Sequence, residues 1–237
     1  MGRGSHARAK RPPRTCLGLV VVGAAAAGCG DNLYDPFVSL VRVSAATPFV
    51  DGCDGTGQAG RSIDVEVEPS LAAAPGQPLH LVGAWQQDRW ASGGASGIRT
   101  AATFDGGATW TLATPGVGRC SGGTGAAAGY ERASDPWLTF AADGTVYLTA
   151  LVFDTASARN AVVASQSSDG GITWSEPAVL RADDDPAVFN DKESITADPA
   201  DASRVYAVWD RLTGQTEPTQ PVGTGPAWFA RTVGGIW

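Results

Sequence analysis

Thr103-Phe-Asp-Gly-Gly-Ala-Thr-Trp110 and Ser167-Ser-Asp-Gly-Gly-Ile-Thr-Trp174 are two copies of one pattern, which begins with a hydroxyl residue and ends with tryptophan. A shortened copy, Thr232-Val-Gly-Gly-Ile-Trp237, follows at nearly the same spacing. A repeat of about sixty residues that contains several short β-rich runs is typical of stacked or radial supersecondary units. The spacing therefore predicts repeated blades instead of one ordinary core.

The residues between the copies support this interpretation. In each repeat a β-rich run is followed by a turn rich in Gly, Pro or Asp, a second run, and then a third run that enters the motif. The first runs begin at Glu68, Asp135 and Lys192, the second at Leu79, Val146 and Val205, and the third at Ile98, Ala161 and Trp228. No helical period is found beyond Gly28. An all-β fold of four-stranded meanders is predicted.

The repeated pattern resembles the Asp box, Ser/Thr-x-Asp-x-Gly-x-Thr-Trp, of sialidase-type β-propellers. The resemblance implies a partial propeller of about three blades out of six, at about 62–130, 131–187 and 188–237. In that family the boxes lie on the turn between the two outer strands, away from the catalytic face. The resemblance thus implies structural roles for Asp105, Trp110, Asp169 and Trp174, with each carboxylate bound to backbone N–H groups of its turn.

Three blades leave an open sheet edge, which invites pairing. Three explanations are open: the chain is the N-terminal half of a longer propeller, it assembles with a second chain or a copy of itself, or it folds as an open array. The first two close the propeller with the remaining blades or a second chain. Within the N-terminal strand and loop, 29–61, residues Phe37–Val43 are a predicted strand that completes a last blade.

The segment 1–28 is a predicted export signal. Five basic residues and no acidic ones precede the apolar stretch Leu17–Gly28, which is too short to span a bilayer. Ala26-Ala-Gly-Cys29 resembles a bacterial lipobox, which implies cleavage before Cys29, lipidation of its thiol and anchoring in the cell envelope. Ordinary secretory cleavage near the same place is the alternative.

Composition excludes some classes of function. The chain has 17 basic and 24 acidic residues, so loss of the five leader cations leaves 12 against 24, a net charge of −12. Such a chain lacks the clustered cations on which nucleic-acid affinity depends. Only Cys53 and Cys120 remain after the leader and the lipidation site, and an oxidising compartment favours a disulfide between them over two free thiols. A Cys/His zinc site is excluded, since His80 is the single histidine left.

Candidate site residues come from the aligned repeat starts, which meet near the axis of a propeller. Glu68, Asp135 and Glu193 are the candidate catalytic carboxyls at these positions. The neighbouring charged residues are candidate sugar-binding groups: Asp88, Arg89, Arg132, Asp191, Asp210 and Arg211. The alternative is that these residues form salt bridges and caps between blades.

The resemblance implies glycoside hydrolysis of the exo-α-sialidase type, and two hypotheses stay open: an exported sialidase-like hydrolase, or a non-catalytic surface propeller that binds glycan or protein. The family grips its carboxylate substrate with three arginines, the first in an Arg-Ile-Pro motif that this sequence lacks. No cofactor is expected. Ca²⁺ at the run Asp183–Asp185, with Asn190 and Asp191 nearby, is a second possibility beside a solvated acidic loop.

Overall fold

The computed structural model describes residues 40–55, 60–214 and 223–237. These residues form eleven strands and two short 3₁₀ turns, and none of them is in an α-helix. The all-β prediction is confirmed. The export signal 1–28 and the lipidation site Cys29 lie outside the described residues, so both stay predictions.

The strands form three antiparallel meanders that follow the repeats, and a single residue pair, Ala95 with Ala133, joins the first two into one eight-stranded sheet. The first contains β1 (Arg61–Ala74), β2 (Gln77–Trp90), β3 (Ala95–Thr103) and β4 (Thr111–Ala113). The second contains β5 (Arg132–Phe140), β6 (Val146–Phe153), β7 (Asn160–Ser167) and β8 (Ala178–Asp183). The third contains β9 (Val188–Ala197), β10 (Val205–Thr213) and β11 (Ala227–Arg231). The first two meanders have the four strands expected of one blade, and the described part of the third has three. In the described part of the third, β11 has β10 as its sheet neighbour on one side only.

The core lies between the first and second meanders. Seven of the eight residues of β6 and seven of the eight of β7 are buried, which accounts for their nearly continuous Val, Leu and Ala sequences. These strands pack with β2 and β3 in one apolar cluster that includes Val82, Ile98 and Leu148. A smaller cluster around Tyr147 and Ile195 joins the second meander to the third.

The N-terminal strand prediction is wrong where the structure describes it. Residues 40–43 of the predicted strand Phe37–Val43 adopt no strand, and Leu40 is 91% exposed; residues 37–39 lie outside the described part. The following segment is held instead by side-chain hydrogen bonds, in which the Thr47 hydroxyl donates to Asp88 at 2.8 Å. Apolar alternation alone did not distinguish a strand from an extended segment with no sheet partner.

A disulfide joins Cys53 to Cys120, the pair proposed from the sequence, across a separation of 67 residues. It ties the loop before β1 to the long connection between β4 and β5. Closing a loop of this length contributes about 4 kcal/mol in the chain-entropy description. No helix in the described ranges is long and apolar enough to cross a bilayer.

Candidate functional site

The first strand of every meander carries the same irregularity. In β1 the residues Glu68 and Pro69 together face one residue of β2, and the register shifts between Val67 and Ser70. The same two-against-one bulge occurs at Asp135–Pro136 in β5 and at Lys192–Glu193 in β9. Three aligned repeat starts are therefore three copies of one β-bulge.

The first residue of each bulge has a left-handed backbone. The φ angles are 54° at Glu68, 50° at Asp135 and 56° at Lys192. Residues other than glycine adopt this conformation at a cost of about 1 kcal/mol, and such positions cluster at functional sites when the surrounding structure holds them. The bulge turns each of these side chains toward the same place.

These bulges line one open depression of about 470 Å³. Its lining contains three residues from each first strand: Glu68–Ser70, Asp135–Trp137 and Lys192–Ser194. The three candidate catalytic carboxyls, Glu68, Asp135 and Glu193, are thus brought together from positions far apart in the chain. Whether they are catalytic stays a prediction.

Glu68 and Asp135 form a coupled pair of carboxyl groups. Burial raises the pKa of Glu68, and the hydrogen bond and the negative charge of Asp135 raise it further. Burial also acts to raise the pKa of Asp135, but hydrogen bonds from Glu68, Lys192 and Ser134 outweigh it and the pKa is lowered. The arrangement favours a protonated Glu68 beside an ionised Asp135.

Further hydrogen bonds fix this pair in place. The Ser134 hydroxyl donates to Asp135 Oδ1 at 2.5 Å, and Lys192 Nζ donates to Asp135 Oδ2 at 2.9 Å. The buried Gln86 amide donates both to Glu68 and to Ser134, to the latter at 3.0 Å. Gln86, on the second strand of the first meander, thus links Glu68 of that meander to Ser134, which holds Asp135 of the second meander.

Glu193 differs from the other two carboxyls because it is buried. Its residue is 3% exposed, and neither carboxyl oxygen has a hydrogen-bonding partner among the described residues. Burial, with a smaller contribution from the charge of Asp135, raises its pKa well above the usual value. Burial without a described partner therefore favours the neutral form of this group, because the charged form would be desolvated without compensation.

Apolar rings complete the depression. Pro69 and Pro136 are the second residues of their bulges, and the Trp137 side chain beside them is 50% exposed. A half-exposed tryptophan next to carboxyl groups is the combination with which proteins bind sugars, because the ring covers C–H faces while polar groups bind hydroxyls.

Three of the candidate binding residues lie around this pair or its neighbours. Arg89 acts electrostatically on Glu68 and donates to the carbonyl oxygen of Gly94 at 2.8 Å. Asp191 precedes Lys192, and burial, with contributions from Asp135 and Asp210, raises its pKa. Asp210 faces Asp191 across the β9–β10 ladder.

The other three candidate binding residues have structural partners. Asp88 is fully buried and accepts from Thr47 and from the Asp64 backbone, from the latter at 2.9 Å. Arg132 is buried, forms an ion pair with Asp54 at 3.3 Å and lies over the Trp90 ring. The structure thus places these two residues away from the depression, where they hold loops and strand ends together.

Arg211 belongs to a separate cluster at the end of β8. It binds the carboxylate of Asp183 through two nitrogens, at 3.0 and 2.8 Å, and Arg181 binds the same carboxylate. These hydrogen bonds hold the pKa of Asp183 far below its usual range. The proposed Ca²⁺ ligand Asp183 is therefore already bound by two guanidinium groups. Across the described ranges no group of three or more acidic, His or Cys side chains is arranged to hold a metal ion.

The motif aspartates lie in turns at the opposite ends of the strands. Asp105 accepts from the Thr109 backbone at 2.9 Å and from its hydroxyl at 2.6 Å, and Asp169 binds Thr173 in the same way at 2.9 and 2.5 Å. We name these segments, 103–110 and 167–174, the first and second Asp-Gly-Gly turns. Each carboxylate closes its own turn, which is the structural role that the resemblance implies.

Sequence reasoning located the repeat starts but not the bulges. Left-handed φ angles are usually signalled by glycine, whereas these positions hold Glu, Asp and Lys, so nothing local marks them. Trp137 and Lys192 stand beside the candidate residues in the sequence but are not among the predicted site residues. Glu68, Asp135 and Lys192 stand two residues before Ser70, Trp137 and Ser194, at the same position of each aligned repeat. This shared position is the sequence signal that links the three bulges.

The sequence matches no protein-family profile and no curated protein. Solved structures with a similar fold include a Hadza microbial sialidase, with 18% identity over 63% of this chain and 33% of that one and a TM-score of 0.47. The Penicillium chrysogenum α-L-arabinanase, solved with arabinobiose, has 16% identity over 70% of this chain and 45% of that one, with a TM-score of 0.46. The Trypanosoma rangeli sialidase, solved with sialic acid, has 14% identity over 73% and 31%, with a TM-score of 0.37. The chain thus spans less than half of the length of each of these three structures, and at these values the likeness concerns the fold.

Proposed function

We propose that this chain contributes the sugar site of a glycoside-hydrolase-type β-propeller, with the site at the three bulges. The observation that carries the proposal is the Glu68–Asp135 pair at the depression, in which the pKa of Glu68 is raised and that of Asp135 is lowered. Glycoside hydrolysis commonly uses two carboxyl groups about 5 Å or more apart, one to protonate the leaving oxygen and the other to act on the opposite face of the sugar. Glu68 and Asp135 hydrogen-bond to each other in the structure, so the proposal requires that they separate when the sugar enters.

The roles within the pair follow from their surroundings. Glu68, exposed at its bulge and with a raised pKa, is the proton donor to the glycosidic oxygen. Asp135, stabilised as a carboxylate by Lys192 and Ser134, activates water or attacks the anomeric carbon. The Trp137 ring packs against one C–H face of the sugar ring. Activity should fall as pH rises through the raised pKa of Glu68, because the donor then loses its proton.

A panel of fluorogenic aryl glycosides, including a sialoside and an arabinofuranoside, tests this proposal with the full-length chain. We expect turnover of at least one substrate, reduced about 10²- to 10⁴-fold in Glu68→Gln and in Asp135→Asn. Asp184→Asn, an exposed acid outside the depression, is the matched control and should leave kcat unchanged. Absence of turnover for every glycoside would overturn the hydrolase proposal, and turnover of the sialoside would support the exo-sialidase form.

The second candidate is a non-catalytic propeller that binds glycans at the cell surface. The shallow, open depression with Trp137 and two prolines favours it, because such a platform supports binding without enclosing the reacting bond. Glycan-array binding by the wild-type chain, weakened by Trp137→Ala and without hydrolysis, would identify this function. Binding that Trp137→Ala leaves intact would exclude the depression as its site.

Export and lipid anchoring are part of the proposal and rest on the sequence of the segment 1–29. A surface location fits a protein that acts on glycans. In a bacterial host, we expect Cys29→Ser to abolish incorporation of labelled fatty acid and to release the protein from the membrane fraction. Lipid labelling that persists in this variant would contradict the assignment of Cys29.

A further inference from the structure

The second residue of the bulge differs in type between the third meander and the first two. Pro69 and Pro136 occupy this position in β1 and β5, whereas β9 has Glu193. The fold is therefore compatible with an apolar residue there. A carboxyl group in the same place is buried with both oxygens unpartnered among the described residues, which is unfavourable for folding. Packing alone does not explain it.

The charges around the depression argue against an acidic ligand. Lys192 is the single cation of its lining, and its ammonium group is 2.9 Å from Asp135. Arg89, close by, donates to the backbone oxygen of Gly94 and to the side-chain oxygen of Gln86. In the described lining a carboxylate-bearing sugar would meet Asp135, and the one cation there, Lys192, already pairs with Asp135 and lies 3.9 Å from Asp191 outside the lining.

The remaining groups match an uncharged sugar. A neutral carboxyl group has one O–H donor and further acceptor capacity, so it can donate to and accept from sugar hydroxyls. The exposed ring of Trp137 covers a C–H face of the same ligand. Sugar hydroxyl groups therefore match Glu68 and Asp135 as the structure has them, and they match Glu193 if its buried carboxyl turns toward the depression.

We infer that the depression selects uncharged sugars, and that Glu193 is a specificity-determining residue that hydrogen-bonds a sugar hydroxyl after a rotamer change toward the depression. This inference rests on the proposed carbohydrate site and narrows its substrate class. It also distinguishes the site from one built for sialic acid, whose carboxylate needs a cation. Burial of an unpartnered acid is then a cost retained for binding, so removing Glu193 should stabilise the chain while weakening its affinity.

Matched sugar pairs test the inference by isothermal titration of the full-length chain: lactose against sialyllactose, methyl glucoside against methyl glucuronide, and arabinobiose as a further uncharged ligand. We expect at least one uncharged sugar to bind about tenfold or more tightly than any acidic one. Glu193→Leu should lower that affinity about tenfold and raise Tm, and Glu193→Gln should retain part of the affinity because its amide also donates and accepts. Asp184→Asn should change neither quantity.

The outcomes separate the inference from the function on which it rests. Equal or tighter binding of the acidic sugars would overturn the inference and leave the carbohydrate site standing. Unchanged affinity for the uncharged sugar in both Glu193 variants would overturn the role of Glu193. If Glu193→Leu fails to fold, Glu193→Gln alone decides. Absence of binding by every sugar would overturn the proposed function and the inference together.

Discussion

The two Asp-Gly-Gly turns share a sequence pattern and an internal hydrogen-bond network, yet they have different neighbours. In the first turn Trp110 Nε1 donates to Gly107 of the same turn at 3.0 Å. In the second turn Trp174 Nε1 donates to the Thr100 hydroxyl on β3, in the preceding meander, also at 3.0 Å. One motif therefore closes a hairpin in the first case and joins two blades in the second.

The backbone of the second turn takes part in the same junction. The carbonyl oxygen of Gly170 lies 2.9 Å from the His80 ring nitrogen on β2, and Phe104 stacks on that ring at 4.3 Å. Trp174 and Ile172 pack against the main apolar cluster. The motif thus encodes its turn locally, whereas its contribution to blade stacking depends on the strands that lie beside it.

Tryptophan removal should give the largest difference between the turns. We expect Trp174→Ala to lower the free energy of unfolding by about 3 kcal/mol, because it leaves a cavity between blades and removes a partner of Thr100. Trp110→Ala should cost about 1 kcal/mol, since that half-buried ring donates to its own turn and is not part of the main apolar cluster. Urea unfolding of both variants measures the difference. Equal costs would show that stacking does not depend on this ring.

Glycine substitution offers a closely matched test. Gly107 and Gly171 have nearly the same φ, 95° and 96°, so the backbone penalty of an alanine is shared. A Cβ at Gly171 would lie 2.7 Å from Val82, whereas one at Gly107 would meet only the Trp110 ring, at 3.6 Å. We expect Gly171→Ala to cost about 2 to 3 kcal/mol and Gly107→Ala about 1 kcal/mol in urea unfolding. A larger cost at Gly107 would contradict the interblade assignment.

The shortened third copy allows a gain instead of a loss. Trp237 packs on the second meander as Trp174 packs on the first, but its buried Nε1 has no hydrogen-bonding partner in the described part of the chain. Ala164 occupies the position that Thr100 has in the first meander, and it lines a cavity of about 250 Å³ beside Trp237. Ala164→Thr should stabilise the chain by about 0.5 to 1 kcal/mol in thermal unfolding. Ala164→Val, which adds similar volume without a hydroxyl, should not.

Acid titration should reveal no difference between the turns. The Thr109 hydrogen bonds lower the pKa of Asp105 to about 2, and hydrogen bonds within the second turn outweigh burial to lower that of Asp169 to about 2. Because both folded pKa values lie below the unfolded value of about 3.9, their stabilisation is present above about pH 4 and lost as pH falls through about 2. Carboxyl NMR titrations should therefore coincide. A separation of more than one pH unit would mean that the neighbouring blade reaches the carboxylate.

The limits of sequence reasoning follow the same division between local and distant causes. The motif spacing predicts the blades, because glycines, turn residues and strand runs act over a few neighbours. Residues 40–43 of the strand predicted at Phe37–Val43 form no strand, because strand formation there depends on a partner strand, which no local pattern reveals. The candidate carboxyls Glu68, Asp135 and Glu193 were found by aligning repeats. The pKa shifts of these carboxyls cannot be predicted by such an alignment, because burial and hydrogen bonds from other blades determine them.

The left-handed bulge residues have a consequence for how this scaffold can change. Each first strand has a left-handed backbone position at its bulge, and its conformation is the same whether the residue there is Glu68, Asp135 or Lys192. The three meanders thus place two acidic residues and one basic residue at the same backbone position. The side chain at this position can therefore be replaced in one meander at a time, while the strands, the turns and the disulfide stay unchanged.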